Sequence, residues 1–240
     1  MSILYHSAAS RGYANHGWLE ANHSFSFARF IDLTKMNFGL LRVLNDDRIA
    51  PSMGFGKHPH ENMEIITIPL SGILKHKDSV DDIWRTVEAG EVQVMSAGTG
   101  VYHSEMNASS KEDLTLFQIW IIPDREGVMP RYDQKHFKQV SNGELQILVE
   151  YMDDYKQENS LKIYQNAQIS RVVLNPNDNF NYALQSENHG VYVMQVYGES
   201  HIENQMLSDR DAVGVWNAKD FSINAQKQSE LLFIEVPMNI

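Results

Sequence analysis

Two short stretches place metal-capable side chains two residues apart: His58-Pro59-His60 and His103-Ser104-Glu105. In a β-strand successive side chains alternate faces, so residues i and i+2 point the same way. Two such pairs on neighbouring strands would aim three imidazoles and one carboxylate at a single point. That donor set suits a transition metal such as iron, copper, nickel, manganese or zinc. Four protein donors leave one or two positions open on a five- or six-coordinate ion, so water or a substrate can bind beside them. Pro59 keeps the first pair extended, because the residue before a proline is pushed toward β or polyproline geometry. Glycines at 54, 56, 98 and 100 flank the pairs and permit tight turns.

The elements that must carry these pairs are strands. The chain reads as many short strand patterns broken by Gly, Asn, Asp and Pro, from residues 38–44, 63–70 and 72–77 through 114–122, and again from 144–151 to 230–236. Ser71-Gly72 between two such patterns is a hairpin signal. Long helical periodicity is absent, and short helices are allowed only near residues 133–140 or 206–211. So many closely spaced strands point to a sandwich or barrel. The strand series occurs twice, with the polar stretch 124–143 between, so the expectation is two stacked β-barrels of related design. The first unit spans residues 1–130 and contains the paired ligands. The second spans 131–240 and has only scattered histidines, His189 and His201.

Composition narrows the function classes. The chain has 240 residues, 42% of them hydrophobic, enough for a sizeable core. Thirty-one acidic residues against twenty basic ones give a formal charge of −11, which argues against direct nucleic-acid binding. There are no cysteines, which rules out disulfides and thiolate metal ligands. No basic apolar leader opens the chain and no window approaches a membrane span, so the expectation is a soluble cytoplasmic protein with no membrane partner.

Most other chemically capable residues take structural readings. His76 sits between Lys75 and Lys77 and is expected to be solvated; His6, His16, His136, His189 and His201 lack a second donor at strand spacing. His23 is expected to help fold the aromatic segment from Phe25 to Phe30, and that segment, Trp18, Trp84, Trp120, Trp216 and most methionines are assigned to the core. Met53, Met63 and Phe55 lie beside the motifs and are candidates to line a pocket. Glu61 is out of phase with the histidines and expected to be exposed. Glu64 is in phase with His58 and His60 and can serve as a ligand or as a pocket-wall group behind the ligands.

His-x-His-x3-Glu followed by glycine at Gly72, and Gly-x7-Gly-x4-His-x3-Asn ending at Asn107, resemble the two cupin motifs. The finer wording is similar to the pirin family: His58-Pro59-His60-Glu61-Asn62-Met63-Glu64-Ile65-Ile66-Thr67 and Ser96-Ala97-Gly98-Thr99-Gly100-Val101-Tyr102-His103-Ser104-Glu105, with His23-Ser24-Phe25-Ser26-Phe27 and Lys77-Asp78-Ser79. The resemblance is strongest from about residue 10 to 125, and closest to bacterial pirin-like proteins with quercetin 2,3-dioxygenase activity. It implies an all-β bicupin with one divalent metal in the front barrel, Fe(II) first, with copper, nickel, manganese, cobalt or zinc as alternatives. It assigns the ligands to His58, His60, His103 and Glu105, preferring Glu105 over Glu64, and it leaves the rear barrel empty. The implied reaction is opening of a flavonol heterocycle with O2, in which Glu105 also serves as the base. The alternative implied function is a metal- or redox-sensing protein that binds a protein partner such as a transcription regulator.

Overall fold

The structure, a computed structural model, describes residues 1–239. In chain order the first half contributes β1 (Ser2–His6), β2 (Gly12–Asn15), β3 (Leu19–His23), β4 (Leu41–Ile49), β5 (Gly54–His60), β6 (Glu64–Ser71), β7 (Ile73–Asp78), β8 (Arg85–Glu88), β9 (Glu91–Ser96), β10 (Val101–Asn107), β11 (Leu114–Ile121) and β12 (Arg131–His136). The second half contributes β13 (Gln146–Tyr151), β14 (Leu161–Ile163), β15 (Gln168–Leu174), β16 (Asn179–Ala183), β17 (His189–Tyr197), β18 (Ser200–Ile202), β19 (Gln205–Leu207), β20 (Ala212–Trp216), β21 (Asp220–Ala225) and β22 (Ser229–Pro237). The one helical element among the described residues is a 3-10 turn at Ala8–Ser10. No helix there is long and apolar enough to cross a membrane.

The strands form the two-cupin architecture. In front, a seven-stranded sheet ordered β12-β9-β6-β11-β4-β3-β2 is paired with a four-stranded sheet ordered β5-β10-β7-β8. Behind, a seven-stranded sheet ordered β1-β20-β17-β22-β15-β13-β14 is paired with a four-stranded sheet ordered β16-β21-β18-β19. The two large sheets pack on each other through the main core, where Leu41, Phe117 and Ile119 of the front meet Tyr192, Leu232 and Ile234 of the rear. Large sheets back to back bury the apolar face of each, and hydrophobic burial at roughly 25 cal/mol per Å2 is what holds the halves together.

The interiors differ. The rear barrel is filled by apolar side chains, including Tyr182, Phe221 and Phe233 stacked on one another. The front interior has a thinner apolar layer, in which Leu19, Ala21 and Ile49 of the large sheet meet Leu74 and Val87 of the small one. The space left over is polar and holds the histidines.

Several local expectations change. The stretch 133–140 is not helical: β12 pairs antiparallel with β9 from Arg131↔Ser96 to His136↔Glu91 and completes the front sheet. The stretch 124–143 therefore carries a strand as well as linker. At the other end, β1 pairs with β20 and belongs to the rear sheet, so the first half lends an edge strand to the rear. Residues 206–211 form part of β19 and a turn. Ser71-Gly72 does make a turn, with Gly72 at φ +79°, but it is a corner and not a hairpin, since β6 pairs with β9 and β11 while β7 pairs with β8 and β10.

Candidate metal centre

Strands β5 and β10 run antiparallel, with His103 directly across from His58 and Val101 across from His60. The register shifts between His103 and Glu105, which brings Glu105 opposite Phe55; such a bulge re-aims a side chain next to a site. The two strands approach so closely that a Cβ on residue 54 would lie 2.1 Å from the Glu105 carbonyl oxygen, so glycine is required there. Gly98, at φ +47°, provides the tight turn that leads into β10. Gly54 thus serves a close approach within β5 and not a turn, whereas a Cβ on residue 56 would meet nothing within 4 Å.

The three expected imidazoles converge. Ring centroids are 4.2 Å apart for His58 and His103, 4.7 Å for His60 and His103, and 5.0 Å for His58 and His60. His58 Nδ1 donates to the Gly56 carbonyl oxygen at 2.8 Å. That fixes the tautomer and leaves the Nε2 lone pair facing inward, 2.8 Å from His103 Nε2. Two nitrogens bound side by side to one ion, each about 2.1 Å from it, stand about 3 Å apart.

Glu105 belongs to a second, overlapping donor group. His58, His60 and His103 form one triad whose ligand atoms lie within 4.8 Å of one another, and His76, His103 and Glu105 form another. His103 is common to both. Both triads are in the front barrel. Glu105 is 2% exposed; Gln118 Nε2 donates to its Oε2 at 3.0 Å, while its Oε1 has no partner. His103 Nδ1 is likewise buried and unpartnered. Buried polar atoms are normally hydrogen-bonded. An orphaned carboxylate oxygen beside convergent imidazoles fits a cation, and three imidazoles with a carboxylate are a donor set suited to a divalent transition metal.

His76 corrects the expectation from sequence. It is fully buried, not solvated. On β7 it faces the barrel interior while Lys75 and Lys77 on either side face out, the ordinary alternation of a strand. Its Nε2 is 2.9 Å from Asp78 Oδ2, Gln93 Nε2 is 3.3 Å from its Nδ1, and that Nδ1 is 4.0 Å from Glu105 Oε1. Tyr132 of β12 stacks on the ring at 5.0 Å. Asp78 is held in turn by the Val80 amide, which donates to its Oδ1 at 2.7 Å. A carboxylate–imidazole pair behind metal donors is the arrangement that fixes ligand orientation in metal sites. His76-Lys77-Asp78 has the same i, i+2 spacing as the two stretches singled out first, and that was the available signal.

Burial dominates the electrostatics. It lowers the His103 imidazolium to about 3 and that of His60 to about 4, each helped by the neighbouring histidines. These rings are therefore neutral at physiological pH, the form that binds a metal.

In front of the imidazoles lies a cavity of about 430 Å3, within the size range of small-molecule sites. Trp18, Phe27, Phe55 and Trp120 provide its aromatic walls, and His58, His60, Glu105, Gln118, Asn45 and Asp47 its polar groups. Phe55 takes its expected place there, edge-on to Trp18. Phe27 and Trp120, expected in the core, meet edge to face at the cavity wall. Met63 lines a neighbouring hollow with Phe27 and Trp120, and Met53 is exposed. Glu64 is buried on β6, where Ser96 Oγ donates to its Oε2 at 2.7 Å, and burial raises its carboxyl to about 7. It is outside both donor triads and does not line the cavity. Glu61 is exposed, as expected. Trp84 is exposed on the surface beneath Lys75 and is not a core residue. His23 does pack on Phe27 and Phe30, and also bonds Asn45 at 2.8 Å on the cavity floor. His6 and His189, which sequence gave no partner, are buried against Tyr192 and Glu235.

Asp47 was not anticipated. It is 5% exposed, and burial, with the negative charges of Asp46 and Glu105, pushes its carboxyl up to about 8. The unfolded value is near 4, so the stability contributed by the protonated form is fully present below about pH 4 and is lost as pH rises through about 8. In the metal-free protein Asp47→Asn is therefore expected to match the wild type near pH 4. It should exceed it by up to ~5 kcal/mol near pH 8, as read by urea denaturation across that range.

The comparisons with known proteins agree with this architecture. Residues 6–121 match the family model described as Pirin, and residues 152–236 the one described as Quercetinase C-terminal cupin domain. The chain is 40% identical over 235 residues to a protein of Escherichia coli (strain K12) named quercetin 2,3-dioxygenase, covering 98% of this chain and 99% of that one. It is 43% identical over 224 residues to a putative quercetin 2,3-dioxygenase of Zymomonas mobilis, covering 93% of each. The crystal structure of the bacterial pirin YhhW from Escherichia coli in complex with nickel(II) matches with a TM-score of 0.92 at 38% identity over the full length of both chains. A quercetin 2,3-dioxygenase from Acinetobacter baumannii, at 20% identity and a TM-score of 0.79 over 100% of this chain and 87% of that one, shares the fold. With relatives this similar along their whole length, and two sheet pairs each matched by a cupin domain model, the chain belongs to the pirin family.

Proposed function

We propose that this protein is a metal-dependent dioxygenase that opens the heterocycle of flavonols such as quercetin with O2. His58, His60, His103 and Glu105 hold one divalent transition metal, Fe(II) in the first instance. The observation that carries this reading is the buried, unpartnered Glu105 Oε1 beside three convergent imidazoles at the end of an aromatic-walled cavity. The names of the full-length relatives support it, and the nickel(II) complex of a family member supports the metal.

When bound, the metal supplies a Lewis-acidic, redox-active centre for the hydroxyl–keto edge of the flavonol and for O2. The chain supplies the rest. Trp18, Phe55, Phe27 and Trp120 sandwich a flat polycyclic molecule and keep water from the reacting edge. Gln118 donates to Oε2 and fixes the orientation of Glu105, so that Oε1 would go to the metal and the second lone pair of Oε2 accepts the proton of the flavonol 3-hydroxyl. Loss of that proton makes the ring system electron-rich toward O2. The His76–Asp78 pair, closing on Glu105 from behind, restrains the carboxylate in that position.

The test is oxygen uptake and carbon monoxide release with quercetin, measured for the Fe(II)-loaded protein, the metal-free protein and free Fe(II). Uptake and carbon monoxide well above free metal, absent without metal and absent in Glu105→Gln, are expected. Rates no greater than free metal with every flavonol tried would remove the enzyme reading.

A further inference from the structure

Among the carboxyl and amide side chains on the cavity wall, only Asp47 neither has an assigned partner nor faces the metal donors; the Trp120 indole Nε1 is also buried and unpartnered there. On β4 the inward positions are Val43, Asn45, Asp47 and Ile49, while Asp46 and Arg48 face out into ion pairs with Arg11, Arg210, Glu20 and Asp113. Asn45 is tied to His23, and lies across from Gln118, the residue that holds Glu105. Asp47 is one inward step further along the strand, opposite Leu116. It lines the same cavity, and its Oδ1 is buried with no hydrogen-bond partner. Leaving a polar atom unpaired and out of water is unfavourable by an amount comparable to a lost hydrogen bond, and a packed apolar side chain would avoid it. A carboxyl kept there is explained by a ligand that completes it.

From this placement we infer that Asp47 is a specificity-determining residue, which hydrogen-bonds a hydroxyl of a flat aromatic substrate within the cavity. The inference rests on the flavonol reading for its substrate class. Asp47 projects from β4 of the large sheet and Glu105 from β10 of the small one, so Asp47 addresses a hydroxyl other than the one facing Glu105. Burial holds the carboxyl neutral at physiological pH, and a neutral acid both donates and accepts, as a phenolic hydroxyl does. The pairing therefore introduces no uncompensated charge. A ligand without that hydroxyl leaves the carboxyl unpaired, and rejection of such analogues is the strong form of specificity available to a binding site.

The test uses the full chain under argon, with and without nickel(II), and two matched pairs of ligands: quercetin with 3-hydroxyflavone, and 1,5-dihydroxynaphthalene with 1-naphthol. Binding is read by quenching of tryptophan fluorescence, since Trp18 and Trp120 line the cavity. The wild type is expected to prefer the hydroxyl-rich member of each pair. Asp47→Ala should lose about tenfold in affinity for that member alone, whereas Asp47→Asn, which keeps a donor and an acceptor, stays within about threefold of wild type. Metal binding should be unchanged in both variants. Equal weakening of both members, or a preference that survives in Asp47→Ala, overturns the inference, as does a wild type without preference in either pair. An Asp47-dependent preference confined to the naphthalene pair upholds it while removing the flavonol reading. Should Asp47→Ala fail to fold, the carboxyl stretch assigned by its loss in Asp47→Asn carries the test in the wild-type chain. A shift of that band on adding the hydroxyl-rich ligand supports the inference, and an unmoved band overturns it.

Discussion

Replacing His103 with alanine is expected to abolish specific metal binding. His103 is the one residue shared by both donor triads, it is 2% exposed, and its Nε2 stands 2.8 Å from that of His58. Its loss removes a proposed direct donor, so the fall in affinity should exceed the roughly 10- to 100-fold typical of losing a supporting residue. The readout is calorimetric titration with nickel(II) or, under argon, Fe(II). Ligand binding to the native state alone stabilises it by RT ln(1 + [L]/Kd), so the melting temperature of the wild type should rise on adding metal and that of His103→Ala should not. Because the ring carries an unpartnered buried Nδ1, its removal also relieves an unfavourable burial. The metal-free variant should therefore fold, and a persistent metal-induced rise in its melting temperature would contradict the role given to His103.

The second large effect is expected at His76. His76→Leu removes the donor to Asp78 and leaves that carboxylate, 2% exposed, without its buried partner. Breaking a buried hydrogen-bonded pair of this kind costs about 1–3 kcal/mol, more when the remaining group is charged. Glu105 also loses the group 4.0 Å behind it, and metal affinity should fall about 10- to 100-fold even though no proposed ligand has changed. Urea denaturation of the metal-free protein and metal titration together check both halves. His76→Gln, which retains a donor, should recover part of each. A His76→Leu chain as stable as wild type with unaltered metal affinity would reduce the buried pair to packing.

The contrast between these two histidines shows what the sequence carries. His58, His60, His103 and Glu105 stood out because strand periodicity turns i, i+2 spacing into a shared face, and glycines bracket both stretches. His76 and Asp78 obey the same rule, but Lys75 and Lys77 made the segment look like a solvated turn. The lysines are the outward half of an alternation whose inward half is buried. Asp47 was hidden differently. The run Asn45-Asp46-Asp47-Arg48 broke the apolar pattern, so the strand read as ending at residue 44, whereas β4 continues to Ile49. A strand that lines a polar cavity has polar residues on both faces, and hydropathy cannot separate it from a loop. The same cause hid β12, whose residues are intermediate in burial along most of its length and gain their strand conformation from pairing with β9. The repeated strand series was readable because the rear barrel and the packed faces of both large sheets are conventionally apolar. Glu64 shows the limit of phase as a guide: it shares parity with His58 and His60 in sequence, but a separate strand, β6, carries it to Ser96 and away from the cavity.

The most direct measurement is anomalous X-ray scattering from crystals of the protein loaded with Fe(II) or nickel(II). The expected result is one peak per chain, about 2.0–2.2 Å from a nitrogen of His58, His60 and His103 and from an oxygen of Glu105, with an open position facing the cavity. A peak elsewhere, or no peak after loading, would contradict the metal centre and with it the dioxygenase chemistry built on it.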